Sequence, residues 1–294
     1  MRLVTFRRGG WAGGRIGALR ADGAVLDLAA ADQAVTWTHM PALIAGGEAM
    51  LKRARAAAEK APVVENAVLC APIPRPAKNI FCVGKNYHEH AKEFAGSGFD
   101  ATAKEVVPEA PVVFSKPPTS VIGPGEPIPA QLDPTGSVDY EGELAVVIGK
   151  SGRGIRKADA MSHIFGYTIV NDVTARTLQQ RHRQWILGKG IDGFCPMGPA
   201  ILTADEVPDP AALVLTTWVN GERRQHASVA ELIFDIPTLI ETISAGITLE
   251  PGDVIATGTP AGVGIGFNPP RFLRSGDVVR IEVTGIGMLE NPVG

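Results

Sequence analysis

The chain has 294 residues, of which 45% are hydrophobic and 20% charged, with a formal net charge of -3 and a pI near 6.1. That composition is ordinary for a water-soluble globular protein and lacks the basic stripe of a nucleic-acid binder. Its longest apolar runs, such as 211–219, fall far short of the roughly 20 residues that span a bilayer, so no membrane partner is expected. The N-terminus MRLVTFRRGG turns polar before an apolar leader segment forms. Cys70, Cys82 and Cys195 form no C-x-x-C pair, which argues against a disulfide scaffold or a structural zinc site and fits a reducing cytoplasm.

In chain order, residues 1–70 read as a small α+β module. LVTF, RIGAL and AVLDL are short strand candidates separated by glycine turns, and Pro41–Ile44 and Met50–Lys60 are helix formers. Pro72, Pro74 and Pro76 then stiffen a connector, which places the start of a second domain, 71–294, there. Strands are predicted at 79–83, 112–115, 138–148, 167–172, 200–203, 214–220, 253–257 and 278–283. Asn220-Gly221 is a strong hairpin signal. Helices are predicted at 157–163, 174–184 and 236–245, and residues 94–111 read as a mobile loop. The fold class is α+β, dominated by β.

The sharpest chemical signal is the segment Val138-Asp-Tyr-Glu-Gly-Glu-Leu-Ala-Val-Val-Ile148. Side chains alternate faces along a strand, so Asp139, Glu141 and Glu143 fall on one face with Ala145 and Val147. Both faces become apolar toward the C-terminal end, so the strand runs into a buried region. Burying unpaired carboxylates costs several kcal/mol each. Arg or Lys partners, shared protons or a divalent cation would compensate; the alternative is an edge strand with a wet acidic face. Oxygen-only ligands suit Mg²⁺, Mn²⁺ or Ca²⁺ rather than zinc. A second apolar strand ends in Asn171-Asp172, where either residue could cap the following helix and either could offer a ligand.

The segment 81–93 runs from a strand through Gly84 into a short helix. On that helix His90 and Glu93, three apart, are neighbours. A carboxylate that fixes the tautomer of a histidine makes it a general base. His88 and Glu89 compete for that role, and a solvated helix start is the plain alternative.

Taken together, Gly84-x-Asn86-Tyr87-x-x-His90-x-x-Glu93, Tyr140-Glu-Gly-Glu-Leu144, Asn171-Asp-Val-Thr-Ala-Arg176, Gly188-Lys189-x-x-Asp192-x-Phe194, Val219-Asn-Gly-Glu222 and Gly252-Asp-Val-Ile-Ala-Thr-Gly-Thr-Pro260 resemble the fumarylacetoacetate hydrolase superfamily over residues 78–294. The resemblance implies a fold of mixed β-sheets, usually a homodimer. It implies Mg²⁺ or Mn²⁺ on Glu141, Glu143 and Asp172, a water-activating dyad of His90 and Glu93, and Lys189 stabilising substrate oxyanions. It places Tyr87, Arg176, Gln179 and Thr259 at the substrate. The family often has Ser after this lysine, whereas this chain has Gly190. Composition alone would leave Lys189 as a loop lysine. The glycines of Gly262-x-Gly264-x-Gly266 lack the G-x-G-x-x-G spacing of a nucleotide loop.

Three carboxylates leave about half of an octahedron open to a 2-oxo acid. The expected reaction is hydrolysis of a C–C bond in an acylpyruvate, with His90 activating water and the departing enolate stabilised electrostatically. Decarboxylation of oxaloacetate, isomerisation of a hydroxymuconate-type diacid and chemistry on sugar acids fit the same site. Tail specificity is expected from 94–111 and 181–185.

Overall fold

The computed structural model describes residues 1–9, 14–99 and 106–294. One eleven-stranded mixed sheet organises these residues. Its path runs Val25–Asp27, Arg15–Leu19, Arg2–Arg7, Cys195–Thr203, Ile164–Asn171, Gly142–Ile148, Val254–Ala256, Ile80–Gly84 and Val112–Lys116, with Val68–Cys70 and Val121–Ile122 pairing off that path. Neighbours are antiparallel except Val254–Ala256 with Ile80–Gly84 and Cys195–Thr203 with Val121–Ile122. A four-stranded sheet of Glu222–Ser228, Val214–Val219, Val278–Val283 and Gly287–Pro292 and a two-stranded ribbon complete the β structure.

The central strands Gly142–Ile148 and Ile164–Asn171 are buried at every position. Their side chains divide between two cores. Leu144, Val146 and Ile148 face the four-stranded sheet (Leu215, Val279, Ile281) and the helix Ile236–Ser244, through Leu239 and Ile240. Ala145 and Val147 face the other way and meet Leu3, Ile16, Trp37 and Leu43 from the first part of the chain. The N-terminal strands therefore extend the main sheet, with Arg2 opposite Leu202 and Leu3 opposite Ile201. Burial on both faces explains why the central strands are continuous apolar runs, whereas Val214–Val219, packed on one face only, alternates. At the Asn220-Gly221 turn both residues have positive φ, 52° and 80°, as a tight hairpin requires.

Several expectations are corrected. The segment 138–148 is not one strand: Val138–Asp139 pairs with Thr174–Ala175 in the ribbon, and Gly142–Ile148 lies in the main sheet. At the break, side chains replace ladder partners. The Glu141 amide donates to Asn171 Oδ1 (3.0 Å) and the Gly142 amide to Gln225 Oε1 (3.1 Å). Nor is the carboxylate strand at an edge, since it is paired on both sides. The ribbon also delays the next helix, which spans Arg176–His182. Residues Lys157–His163 form a 3₁₀ helix. The expected loop 94–111 begins inside the helix His88–Gly96, and its residues 100–105 lie outside the described residues.

Candidate active site

Glu141 sits at the strand break, Glu143 begins the buried strand, and Asp172 follows the last residue of the antiparallel neighbour Ile164–Asn171. Asn171 lies opposite Gly142 and Val170 opposite Glu143, so the register brings the three carboxylates together. One oxygen from each lies within 4.8 Å of the others, and all three residues are buried. Neither Asn171 nor Asp172 caps the next helix, whose first residue is preceded by Ala175 with no side-chain cap. Asn171 instead braces the Glu141 amide.

Three cations surround these groups. Lys189 Nζ bridges Glu141 Oε2 (2.8 Å) and Asp172 Oδ2 (2.7 Å). Lys116, fully buried, donates to Asp172 Oδ1 (2.6 Å) and to the Val173 carbonyl (2.9 Å). Arg176 meets Glu141 Oε1 (2.6 Å) through NH1 and Asp139 Oδ2 (2.9 Å) through Nε. Burial pushes the Glu141 carboxyl up, but Lys189 and Arg176 outweigh it and hold it at about 2. Burial likewise works against the charged form of Lys189, yet Asp172 and Glu141 raise its pKa above the ordinary lysine value. Glu143 is the exception. Its hydrogen-bond donor is the Gly258 amide (2.9 Å), and burial, then the charges of Asp172 and Glu141, push it well above the usual carboxylate range. Lys189, Lys116 and Arg176 thus form ion pairs with Glu141, Asp172 and Asp139, and among the described residues Glu143 alone of the four buried carboxylates has none; Lys85, also buried, lines the same cleft. A hard divalent cation fits this all-oxygen set and its charge.

Beside the triad lies a narrow cleft. His90, Glu141, Glu143, Arg176, Gln179, Lys189 and Thr259 all line it. Phe94 and Trp185 supply its apolar wall, and their rings meet edge-on at 6.2 Å. Trp185 packs so closely on Gly84 that a Cβ there would meet its ring at 2.5 Å.

His90 and Glu93 lie on the helix His88–Gly96, with His90 Nδ1 3.2 Å from Glu93 Oε2. His88 is exposed, and Glu89 pairs with Lys92 on the outer face at 2.7 Å. The helix is pinned at its start by Asn86, which donates to the Thr257 carbonyl (2.8 Å) and accepts from the Phe234 amide (2.8 Å). At its end the other Glu93 oxygen accepts from the Gly262 amide (2.9 Å).

The four residues expected at the substrate separate in space. Arg176 lines the cavity, and its NH2 has no hydrogen-bond partner among the described residues. Gln179 lines it with its Oε1 turned to Arg176 (3.3 Å). The Thr259 hydroxyl is engaged, donating to the Gly142 carbonyl (2.9 Å) and accepting from Gln225 Nε2 (2.7 Å). Tyr87 is buried outside the cavity lining; burial and the charge of Glu143 raise its phenol. Arg181, His182 and Arg183 are exposed outside the cavity wall. Sequence reasoning missed Lys116 and Gln225, gave Asn86 a place in a motif but no role, and reached Trp185 only as the end of the 181–185 segment. Lys116 carried a signal: two residues from Phe114 in a strand, it shares that face.

A β-rich mixed-sheet fold that gathers three buried carboxylates suited to a divalent cation beside a histidine–carboxylate pair is the frame of a candidate enzyme site. The family model "Fumarylacetoacetate (FAA) hydrolase C-terminal" matches residues 79–294. The chain is 55% identical over 226 residues to oxaloacetate tautomerase YisK of Bacillus subtilis, covering 77% of this chain and 73% of that protein. It is 40% identical over 299 residues to the mitochondrial oxaloacetate tautomerase fahd2 of Xenopus laevis, covering 100% and 90%. Maleylpyruvate hydrolase from Sphingobium sp. SYK-6, solved with manganese(II) and pyruvate, superposes with a TM-score of 0.78 at 34% identity, over 100% of this chain and 98% of that one. The chain belongs to the fumarylacetoacetate hydrolase family. No helix of the described residues is long and apolar enough to cross a membrane.

Proposed function

We propose that the protein is a divalent-metal-dependent tautomerase that interconverts the enol and keto forms of oxaloacetate or a close C4 2-oxo diacid. The observation that carries this reading is the buried triad sharing one cleft with a histidine–carboxylate pair. The tautomerase names of relatives at 40% and 55% identity support the same choice.

Glu141, Glu143 and Asp172 would hold Mg²⁺ or Mn²⁺, which when bound polarises a 2-oxo oxygen and acidifies the neighbouring C3–H. The remaining work falls to the side chains. Arg176, which lines the cleft and whose NH2 has no hydrogen-bond partner among the described residues, would take the substrate carboxylate. Glu93 fixes the tautomer of His90 and leaves Nε2 to move a proton. In the enol-to-keto direction His90 Nε2 takes the enol O–H proton and the resulting imidazolium returns a proton to C3, so the dyad ends as it began; the reverse direction runs the same transfers backwards. Lys189 and Arg176 supply fixed positive charge near the developing enolate oxygen.

Hydrolytic C–C cleavage of an acylpyruvate is the second reading. The His90–Glu93 pair that supports it would activate water as readily as it moves a C3 proton. Oxaloacetate decarboxylation and muconate-type isomerisation use the same enolate. The deciding experiment follows decay of enol-oxaloacetate by ultraviolet absorbance, and pyruvate release from oxaloacetate and from a short acylpyruvate, each with Mn²⁺, Mg²⁺ or excess chelator. Metal-dependent ketonisation without pyruvate supports the tautomerase. Pyruvate with its partner acid from the acylpyruvate replaces it with the hydrolase, and pyruvate from oxaloacetate with the decarboxylase. A homodimer is proposed with this activity, as is a cytoplasmic location, which three free cysteines accommodate.

A further inference from the structure

Asp139 shares the acidic segment with Glu141 and Glu143 but takes no part in the triad. It is fully buried in the ribbon that leads into the strand break. Its two oxygens accept four hydrogen bonds. Oδ1 takes the amides of Tyr140 (2.9 Å) and Gly264 (2.7 Å); Oδ2 takes the Ile265 amide (3.1 Å) and Arg176 Nε (2.9 Å). The Gly264 and Ile265 amides belong to the loop that receives the dyad. Two residues earlier, the Gly262 amide donates to Glu93 and the Gly262 carbonyl accepts from the Tyr140 hydroxyl (2.7 Å). Glu93 also presses on Gly266, where any Cβ would lie 1.8 Å from Glu93 Oε1. On its other side Arg176 passes to Glu141. An unbroken chain of contacts therefore runs from His90 through Glu93, the 262–265 loop, Asp139 and Arg176 to Glu141.

We propose that Asp139 is a positioning residue that couples docking of the dyad helix His88–Gly96 to cation occupancy of the triad. A cation on Glu141 changes what Glu141 asks of Arg176. Arg176 passes that change to the carboxylate that holds the loop, and the loop sets the seat of Glu93. A contiguous physical link between the two sites is one way to carry such coupling, and the four buried hydrogen bonds on Asp139 supply it. The proposal rests on the reading of Glu141 as a cation ligand and of His90 with Glu93 as the dyad.

The test is hydrogen exchange on the full chain, titrated with Mn²⁺ in the presence of oxalate. In the wild type, peptides covering 88–96 and 262–266 slow together, with one Mn²⁺ midpoint. In Asp139→Asn the Mn²⁺ affinity stays within about threefold, while metal-linked slowing of both segments falls by roughly tenfold or more, the usual size of a site-to-site coupling. Turnover splits the same way, with kcat reduced and KM little changed. Slowing of only one segment in the wild type overturns the proposal without any variant being needed. So does an Asp139→Asn protein that retains slowing at 88–96, or one whose defect disappears at saturating Mn²⁺. Exchange is read without turnover, so a wild type inactive on oxaloacetate removes the tautomerase reading and leaves this test intact.

Discussion

Glu143→Gln isolates the one carboxylate of the four that is left without an ion pair. Asp139 and Glu141 share Arg176, Glu141 and Asp172 share Lys189, and Asp172 also has Lys116, but Glu143 has the Gly258 amide and no ion pair among the described residues. In the cation-free fold its pKa is raised, first by burial and then by Asp172 and Glu141. A carboxyl raised on folding binds more protons folded than unfolded. Its contribution is therefore greatest at pH values below the unfolded carboxylate pKa, and stability is lost as pH rises toward the folded one. The glutamine side chain keeps the shape and the acceptor for Gly258 and removes the charge. The metal-free variant should gain about 1–2 kcal/mol at neutral pH, as relief of a strained functional site does. For a chain of this size each kcal/mol is worth roughly 2–4 °C in Tm. Thermal unfolding in excess chelator reads that gain directly. The same scan with millimolar Mn²⁺ should show the order reversed, because the wild type gains a ligand that the amide binds poorly. A Glu143→Gln protein less stable than wild type in chelator refutes the reading of Glu143 as uncompensated, and a Tm that rises equally with Mn²⁺ in both proteins refutes Glu143 as a ligand.

His90→Ala should lower kcat by about 10²–10⁴-fold, the usual worth of a general base, with Mn²⁺ affinity by calorimetry essentially unchanged. Retained full activity would sink the dyad assignment. Chelation should abolish turnover, and restoring Mn²⁺ or Mg²⁺ to 100 times its Kd should add about 2.7 kcal/mol of stability, seen as a dose-dependent rise in Tm. Gly188→Ala drives a Cβ to 2.5 Å from the Gln179 backbone nitrogen and 2.8 Å from the Ala175 carbonyl. Backbone on both sides cannot yield cheaply, so about 1–3 kcal/mol of stability should be lost and Lys189, the next residue, displaced. Denaturant unfolding and kcat together check it; wild-type values of both would show that the packing there is loose.

What was legible in the sequence was what periodicity encodes. The apolar runs in the predicted strands 138–148 and 167–172 mark the buried strands Gly142–Ile148 and Ile164–Asn171, covered on both faces, and Asn220-Gly221 read as a hairpin because its turn demands two positive φ angles. His90 and Glu93 meet because three residues is nearly one helical turn. What periodicity does not encode is a break. Alternation puts Asp139 on one face with Glu141 and Glu143, and Asn171 and Gln225 undo that by taking over the hydrogen bonds of residues 141 and 142 from positions 30 and 83 residues away. Long-range partners of this kind leave no local signature.

The buried cations are the harder case, because lysine is by default a surface residue and nothing near Lys116 or Lys189 announces a partner. Both are forced inward by the carboxylates they serve. Removing four acids from water is tolerable only when positive groups come with them, so the acidic segment, once judged buried, already implied buried lysines or arginines somewhere in the chain. The sequence thus contained the demand for compensating charge but not the address. Glu143, buried beside Glu141 and Asp172 with no ion pair of its own among the described residues, is the strongest physical argument that the site is built for a cation. A divalent ion there would also add positive charge beside Arg176 and Lys189, which suits an anionic 2-oxo acid. Charge alone cannot choose between moving a C3 proton and breaking a C–C bond, since both pass through the same enolate. Phe94, Trp185 and Gly84 line the cleft beside the triad, so under the proposed reading that choice would fall to this wall, through the length of acid it admits and the water it excludes.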